Sequence, residues 1–494
     1  MHSLGLDIGS SSVKASLIDV SSGASVASAF SPKTEMKIDA PQPGWAEQDP
    51  GQWWEHLKLA VSEVLTSASI RSSDIGSIGI SYQMHGLVLV GRDQNVLRPA
   101  IIWCDSRAVE IGERAFKEIG PDRCLARLLN SPGNFTASKL RWVKENEPET
   151  YGRIHKLMLP GDYIAMRMTG DINTTPSGLS EGILWDFTSN EVAGFLLEHY
   201  GIDPALVPDV VPTFSIQGEL TREVASELGL KAGTKIAYRA GDQPNNAFSL
   251  SAVDPGQVAA TAGTSGVVYG VSNVVKADAQ SRVNTFAHVN HQAENPRLGV
   301  LLCINGTGAL NAWLRKHVGT DLDYESMNRL AGEVPIGSDG VVVMPFGNGA
   351  ERVLGNRDIG CQVYGLSFQR HTRAHLLRAA QEGIVFALKY GMACMNDLGI
   401  ELSAIKAGRT NMFRSPVFRD TFAGVTGATI ELYETDGAEG AARAAGVGAG
   451  YYNSFVDAFV GLRPLAVVEP DRSKIDAYSE AYGRWLRTLE KEIP

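Results

Sequence analysis

The pattern of apolar and polar positions predicts two strand–turn–strand hairpins far apart in the chain. In residues 4–20 an apolar run leads into Asp7, small residues form a turn at 9–12, and alternating positions follow. Residues 258–271 repeat this arrangement around a Gly-Thr-Ser-Gly turn. Turns of small residues leave successive backbone N–H groups free, which suits the phosphates of a nucleotide. The repeat predicts two related domains, each opening with a phosphate-binding hairpin.

Helical and strand periodicities elsewhere indicate an α/β chain. Residues 49–67 combine a capping Asp, a Pro in the first turn and apolar positions at helical spacing, which predicts a helix. Further helices and strands are predicted at 75–80, 100–103, 140–146, 159–169, 235–238, 245–251, 306–316, 341–346, 378–392 and 434–450. The turn residues of 253–257 mark a crossover between domains. We therefore expect domains at 1–253 and 254–494, with bending at this crossover.

Composition narrows the class of protein. The 494 residues are 44% hydrophobic, enough for large cores and two domains around a cleft. A net charge of -10 without any Lys/Arg block argues against nucleic acid or an anionic membrane surface as partner. No apolar stretch reaches the length of a membrane span and no signal-peptide pattern opens the chain, so we expect a cytoplasmic protein. The five cysteines are scattered without CxxC spacing, which indicates neither a disulfide framework nor a zinc site.

Asp242 is the first candidate for a catalytic group. Gly241 lets the backbone bend so that the Asp242 carboxylate can point into a cleft. There it could accept the proton of a hydroxyl within hydrogen-bond reach. A helix-capping Asp beside an ordinary hairpin turn is the competing interpretation. The Gly-Thr-Ser-Gly turn that follows favours the first, a general base facing a phosphate-binding loop.

Three other positions have both a binding and a structural interpretation. His85 follows a predicted strand, where α/β sheets bind ligands, but a buried imidazole bonded to backbone is equally common. Trp103 is either a core anchor or the wall of a sugar site. Gly306 opens a helix whose free N–H groups suit phosphate or ribose, or it allows close packing of helix and sheet.

Nine motifs follow one another along the chain: DIGSSSVK, WAEQDPGQWW, YQMHG, LRPAIIWCDSR, GNFTASKLRWV, LPGDYIAMRMTG, AGDQ, AGTSG and DGAEGAA. Together they resemble the FGGY carbohydrate kinases, within the superfamily of actin, hexokinase and the 70-kDa heat-shock chaperones. The resemblance covers roughly residues 1–460. It implies an α/β fold of two ribonuclease-H-like domains, of the actin/hexokinase ATPase type, flanking a deep catalytic cleft.

The resemblance also implies a role for individual residues. Asp242 corresponds to the catalytic base, and Asp7 to a second catalytic aspartate that holds Mg²⁺ through water. The residues implied to bind substrate are Gln83, Met84, His85, Trp103, Asp242 and Gln243. Those implied to bind nucleotide are Ser10, Ser11, Gly263, Thr264, Ser265, Gly306, Gly408 and Asn411.

Xylulose-phosphorylating members of the family are the most similar. We therefore expect ATP- and Mg²⁺-dependent conversion of D-xylulose to D-xylulose 5-phosphate. Sugar and ATP are then the partners, and the family's frequent dimers allow a homodimer. Two departures bear on this: Gln243 stands where an Asn is usual, and Lys406 and Ala407 replace glycines of the adenosine loop.

Two alternatives stay open. A kinase for ribulose, glycerol or fuculose fits Gln243, although the QMHG loop at 83–86 argues against these substrates. A non-enzymatic, ATP-gated module like actin or a chaperone would lack that sugar loop or need an added peptide-binding domain. A sugar-responsive repressor would need a DNA-binding domain ahead of the first hairpin, where we expect none because only residues 1–3 precede it.

Overall fold

A computed structural model describes residues 1–493 as a mixed α/β chain. In chain order the strands are β1 His2–Ile8, β2 Val13–Asp19, β3 Ser25–Ser31, β4 Glu47–Gln48, β5 Ile75–Tyr82, β6 Val88–Val90, β7 Ala100–Ile101, β8 Lys156–Met158, β9 Asn173–Thr174, β10 Trp185–Asp186, β11 Glu191–Val192, β12 Asp209–Val210, β13 Phe214–Glu219, β14 Lys235–Gly241, β15 Val258–Ala262, β16 Gly266–Ser272, β17 Asn284–Ala287, β18 Leu298–Ile304, β19 Val342–Phe346, β20 Gly360–Tyr364, β21 Ala404–Gly408, β22 Thr429–Tyr433 and β23 Ala466–Val468.

The α-helices are α1 Pro50–Ala68, α2 Val109–Ile119, α3 Pro121–Arg127, α4 Thr136–Asn146, α5 Pro148–Tyr151, α6 Pro160–Thr169, α7 Pro176–Glu181, α8 Gly194–Tyr200, α9 Arg222–Leu228, α10 Asp242–Ser249, α11 Thr307–His317, α12 Tyr324–Gly332, α13 Arg373–Asn396, α14 Pro416–Thr426, α15 Gly437–Gly448, α16 Phe455–Ala458 and α17 Ile475–Glu492. Within residues 1–493, none of these helices is long and apolar enough to cross a membrane.

Two large sheets share one strand order. The first is β13-β14-β5-β1-β2-β3 and the second is β17-β18-β16-β15-β21-β22-β23. In each, the opening hairpin is antiparallel and its first strand pairs in parallel with a later one, β1 with β5 and β15 with β21. Beyond β5 the first sheet continues with β14, which is parallel, and β13, which is antiparallel. Beyond β21 the second sheet continues in the same way with β22 and β23. The prediction of two related α/β domains is confirmed, and β17 is an additional edge strand of the second.

Helix α1 covers one face of the first sheet, as its sequence pattern predicts. The Asp49 carboxylate accepts a hydrogen bond from the Gly51 N–H at 2.9 Å, which caps the helix. Its apolar positions, including Trp53, Leu57 and Val61, are fully buried beside β2 and β3. Burying each such side chain contributes about 1.5–3 kcal/mol, so packing rather than helix propensity holds α1 in place.

Helix α15 packs on the opposite face of the first sheet. A Cβ at Gly5 of β1 would lie 1.8 Å from the Ala438 carbonyl oxygen, and one at Gly448 would lie 1.8 Å from that of Ala237. Backbone therefore meets backbone, which explains the Ala and Gly content of α15. Elements from both halves of the chain surround the first sheet, and the division at residue 253 stays a prediction.

The strand predicted at 100–103 is shorter in the structure, where β7 ends at Ile101. The carbonyl of Ile102 accepts hydrogen bonds from the Asp105 N–H and from Nζ of Lys139 instead of continuing a ladder. The chain turns there, and Trp103 is left 50% exposed. Trp103 is therefore not a core anchor.

Candidate active site

Three neighbouring parallel strands of the first sheet end together. Asp7 of β1 lies opposite Ser81 of β5, and Tyr82 at the end of β5 lies opposite Gly241 at the end of β14. Gln83 and Asp242 therefore leave the sheet side by side. Ligands of α/β sheets bind at this carboxyl end of parallel strands.

The carboxylates of Asp7 and Asp242 are close enough to influence each other. Burial and, to a smaller extent, the charge of Asp7 raise the pKa of Asp242 to about 7, against the lowering effect of hydrogen bonds from Gln243. Burial also raises the pKa of Asp7, against the charge of Lys14 and a hydrogen bond from the Ser81 hydroxyl at 2.9 Å. A carboxyl group that titrates near neutrality is suited to accept a proton during catalysis.

The loop after β5 brings the other predicted sugar-side residues next to Asp242. His85 has a positive φ of 61°, which turns the loop back over the sheet. The Met84 side chain lies against Gly241, where a Cβ would come within 2.6 Å of Met84 Cγ. Gln83 is buried, and its amide nitrogen donates to Oε1 of Gln48 at 3.3 Å. Its own Oε1 has no hydrogen-bond partner among residues 1–493, so a polar group is available beside the carboxylates.

Sequence reasoning missed Glu181, a buried carboxyl group at the end of α7. Its Oε2 accepts a hydrogen bond from the His85 N–H at 2.9 Å, and its carbonyl lies 2.8 Å from His85 Nδ1. Burial raises the pKa of Glu181 well above its ordinary value. It holds His85 from a position almost a hundred residues away, which no local pattern reveals.

Lys139 was also missed as a separate residue, although its motif contributed to the resemblance. It is fully buried on α4, and Nζ donates to the carbonyls of His85 at 2.8 Å and Ile102 at 2.9 Å. Burial lowers its pKa to about 8. A lysine on the same helical face as Leu140 and Val143 was the available signal.

The first hairpin turn touches the predicted sugar wall. The indole N–H of Trp103 lies 3.3 Å from the Ser10 hydroxyl, and the Ser10 carbonyl accepts from the Gln48 amide at 2.7 Å. Ser11 is exposed and its carbonyl accepts from the Met36 N–H. A residue assigned to sugar and one assigned to nucleotide are thus in contact.

At the second sheet the turn 263–265 packs against the start of α11. The N–H of Gly308 donates to the Gly263 carbonyl at 3.0 Å, and a Cβ at Gly308 would lie 2.1 Å from that oxygen. At Gly306 a Cβ would lie 1.5 Å from the Pro345 carbonyl oxygen. Glycine is therefore required here for packing, whereas the side chain of Thr264 at the tip of the turn is exposed.

The predicted adenosine loop lies next to this turn. Strand β21 ends at Gly408, whose carbonyl accepts from the Thr410 N–H at 2.8 Å. Asn411 has a φ of 49°, and its amide nitrogen lies 3.5 Å from the position of a Cβ on Gly263. Among residues 1–493, no hydrogen bond joins turn 263–265 to Asp7 or Asp242. The predicted residues therefore form two groups, one at the edge of each sheet.

The segment 347–352, which reads as a flexible connector, contains a fixed buried carboxylate. Glu351 accepts from the Asn305 N–H at 2.9 Å and from the Gly306 N–H at 3.3 Å. Burial raises its pKa to about 7. Glu351 thus ties the connector to the N-terminus of α11.

The first sheet offers a simple place for Mg²⁺. Within residues 1–493, no group of three or more His, Cys, Asp or Glu side chains could enclose a metal. Mg²⁺ in phosphoryl-transfer sites usually needs one or two carboxylates together with substrate phosphates and water. Ser81 engages Oδ1 of Asp7, and Oδ2 faces the bare α-carbon of Gly437, where a Cβ would come within 2.6 Å. Asp7 therefore fits such an ion.

Two α/β domains of one topology, with acidic residues at one sheet edge and a glycine-rich turn at the other, are the architecture of the actin/hexokinase class of ATP-binding proteins. The chain belongs to the FGGY family of carbohydrate kinases. The family's N-terminal domain matches residues 2–249 and its C-terminal domain matches residues 258–449.

Individual relatives agree with this assignment. The chain is 29% identical to a xylulose kinase of Escherichia coli over 99% of each chain. It is 30% identical to the L-xylulose/3-keto-L-gulonate kinase of the same organism, over 98% of this chain and 96% of the relative. A solved structure from Brucella ovis, described as a "xyloylose kinase", matches with a TM-score of 0.88 and 29% identity over 99% of each chain. The protein is an ATP-dependent sugar kinase.

Proposed function

We propose that this kinase phosphorylates the terminal hydroxyl of D-xylulose to give D-xylulose 5-phosphate, with Asp242 as general base. One observation carries the proposal: Asp242 leaves the sheet next to the sugar loop at 83–86, and burial together with the charge of Asp7 raises its pKa to about 7. The similarity to proteins named xylulose kinases supports the choice of sugar.

The chain's own groups account for the proton and the alignment. Asp242 accepts the proton of the attacking sugar hydroxyl. The oxygen of that hydroxyl forms the new bond to phosphorus while the bond between phosphorus and the ADP oxygen breaks. Gln83, with its unpartnered Oε1, and His85, fixed by Glu181 and Lys139, orient the sugar hydroxyls. Proximity of this kind supplies much of the rate enhancement in phosphoryl transfer.

Asp7 is the residue that would hold Mg²⁺, through water. The ion supplies neutralisation of phosphate charge when it is bound. On the other sheet, the backbone N–H groups and hydroxyls of turn 263–265 would hold the phosphates, with Gly306 beside them. Gly408 and Asn411 would line the adenosine end. The Oδ2 atom of Asp7, which faces Gly437, and the exposed side chain of Thr264 support these assignments.

A second candidate function is phosphorylation of another ketose. The 30% identical relative is named for L-xylulose and 3-keto-L-gulonate. Gln243 also departs from the Asn expected of D-xylulose kinases, and its longer side chain hydrogen-bonds to the Asp242 carboxylate. The choice of sugar therefore depends on the environment of Gln243.

The test is coupled measurement of ADP release against D-xylulose, L-xylulose, 3-keto-L-gulonate, ribulose and glycerol. We expect the highest kcat/KM with D-xylulose and a fall in kcat of about 1,000-fold in Asp242→Asn, as for loss of a general base. A higher kcat/KM with another ketose would replace the substrate and keep the base. An Asp242→Asn protein that is folded and within a few-fold of the parent would remove the base assignment.

A further inference from the structure

Arg352 is a partly buried arginine whose side chain forms no ion pair among residues 1–493. It follows the buried Glu351, and its Nη1 donates to the carbonyl of Ser281 at 3.3 Å. Within residues 1–493 no carboxylate lies at ion-pair distance from it. Burial lowers the pKa of Arg352, and the charge of Cys303 opposes the fall. A partly buried cation without an anion is costly, so a ligand that supplies the negative charge would stabilise it.

The backbone of residues 351 and 352 is fixed beside the turn 263–265. Glu351 accepts hydrogen bonds from the backbone at the start of α11, and the same turn of α11 donates to the Gly263 carbonyl. Cys303, the next-to-last residue of β18, lies between them. Burial raises the pKa of its thiol to about 12, whereas a hydrogen bond with Ser265 and the charge of Arg352 oppose the rise. Arg352 is therefore near the predicted phosphate loop.

The same guanidinium is also near the sugar loop of the first domain. Its hydrogen-bond acceptor, Ser281, leads into β17, and the ring of Phe286 on β17 lies 5.5 Å from the ring of His85. Burial lowers the pKa of His85 to about 3, and the charges of Lys139 and Arg352 act in the same direction. Arg352 thus lies between the residues assigned to sugar and those assigned to phosphate.

We propose that Arg352 binds the phosphoryl group during its transfer from ATP to the sugar. This inference rests on the proposed function, since it requires phosphoryl transfer between the two sheet edges. The guanidinium stays protonated and donates to the non-bridging oxygens, while the proton of the sugar hydroxyl goes to Asp242. A fixed donor of this kind acts without reorganisation, because its position is already held by Glu351 and Ser281.

The test compares Arg352→Gln and Arg352→Lys with Arg357→Gln. The Arg357 side chain is exposed, and its carbonyl accepts the hydrogen bond from the Glu351 N–H, so this variant keeps the local backbone. In Arg352→Gln we expect kcat to fall about 100-fold or more, as for loss of one transition-state donor. The KM for sugar should stay within about three-fold of the parent value. Arg352→Lys should recover only part of kcat, because the lysine ammonium keeps the positive charge but lacks the planar pair of donors of the guanidinium.

Two readouts separate this role from a purely structural one. Ethylguanidinium at millimolar concentration should restore part of kcat in Arg352→Ala but not in Asp242→Asn. By calorimetry without nucleotide, Arg352→Gln should bind the ketose normally and its phosphorylated product at least about 10-fold more weakly, which is about 1.4 kcal/mol.

Contrary results have distinct meanings. Equal kcat in Arg352→Gln and Arg357→Gln, with an active parent, would overturn the inference and leave the proposed function intact. Loss of ketose binding together with a lower melting temperature and no guanidinium rescue would also overturn it, in favour of a structural role. A parent enzyme that phosphorylates no ketose would contradict the proposed function itself, before any Arg352 variant is measured.

Discussion

The edge of the first sheet presents charged side chains, whereas the edge of the second sheet presents mainly backbone. At the first edge lie carboxyl groups whose pKa values are raised by burial, among them Asp7, Asp242 and Glu181. At the second edge the turn 263–265 and the start of α11 meet backbone to backbone, through glycines that have no room for a Cβ. The strand order around both edges is the same.

Under the proposed function, one topology would serve two kinds of recognition. Backbone N–H groups bind phosphate irrespective of what it is attached to, so the second edge needs close packing and little side-chain chemistry. Abstracting a proton from one hydroxyl of a sugar needs a base of adjusted pKa, and burial, neighbouring charges and hydrogen bonds to a side chain provide that adjustment. Variants at the first edge should therefore change proton transfer and sugar binding, and variants at the second should change nucleotide binding.

The largest effect is expected in the pH dependence of the parent and of Asp242→Asn. Because the base must be unprotonated, kcat/KM of the parent should rise tenfold per pH unit below about 7 and level off above it, and this limb should vanish in the variant. Stability should behave oppositely. The folded state keeps the Asp242 proton that the unfolded chain has already lost, so stability falls as pH rises from about 4 to about 7.

Urea unfolding at pH 5 and pH 8 measures the expected pH dependence of the free energy of unfolding. Asp242→Asn should be more stable than the parent at pH 8, by about 1 kcal/mol or more, with a smaller difference at pH 5. Equal pH dependence of unfolding in the two proteins would show that Asp242 titrates normally and is not perturbed by burial.

A smaller effect, confined to the second edge, is expected for Gly308→Ala. The new methyl group would lie 2.1 Å from the Gly263 carbonyl oxygen, so the turn 263–265 must move. We expect the KM for ATP to rise about 10-fold or more, at least 1.4 kcal/mol, while ketose binding measured by calorimetry stays within about two-fold. Gly194→Ala is the control, since a Cβ there meets no atom within 4 Å. Equal losses of ketose and ATP binding would show that the two edges are not independent.

The smallest effect is expected for Lys139→Met at the first edge. The carbonyls of His85 and Ile102 lose their buried donor, which lowers the free energy of unfolding by about 1–3 kcal/mol for each group left unpaired. Removal of the buried lysine charge offsets part of this loss. We expect the KM for ketose to rise several-fold with little change in the KM for ATP. Lys117→Met on the exposed face of α2 is the control. An unchanged ketose KM would show that the His85 loop holds its shape without Lys139.

The sequence predicted well those features that are encoded locally. The two hairpins, the cap of α1 and the glycine-led start of α11 depend on neighbouring residues, and each forms where predicted. The family resemblance directed attention to Asp242 and Asp7, and the structure brings Asp7 near the end of β1 and Asp242 to the end of β14, on either side of β5. The roles assigned to the site residues stay predictions, as do the cytoplasmic location, the homodimer and bending at 253–257.

Long-range features could not be predicted in this way. Glu181 and Lys139 act on His85 through hydrogen bonds across roughly 50 to 100 positions. Arg352 lies in a segment whose glycines read as a flexible connector. In each case the decisive property is that a charged group is buried, and burial follows from the tertiary structure. Likewise, the small residues of α15 predict close packing but do not identify which sheet they pack against.

Packing of α15 on the first sheet has a consequence for the order of events on the ribosome. Strands β1 and β5 are synthesised early, but the helix that covers one of their faces lies at residues 437–448. The face of the first sheet that α15 covers therefore stays exposed until almost the whole polypeptide has been translated. Exposed apolar surface of this kind favours aggregation during synthesis. A nascent chain halted near residue 253 would contain every residue assigned to the ketose and still be unable to complete the domain that binds it.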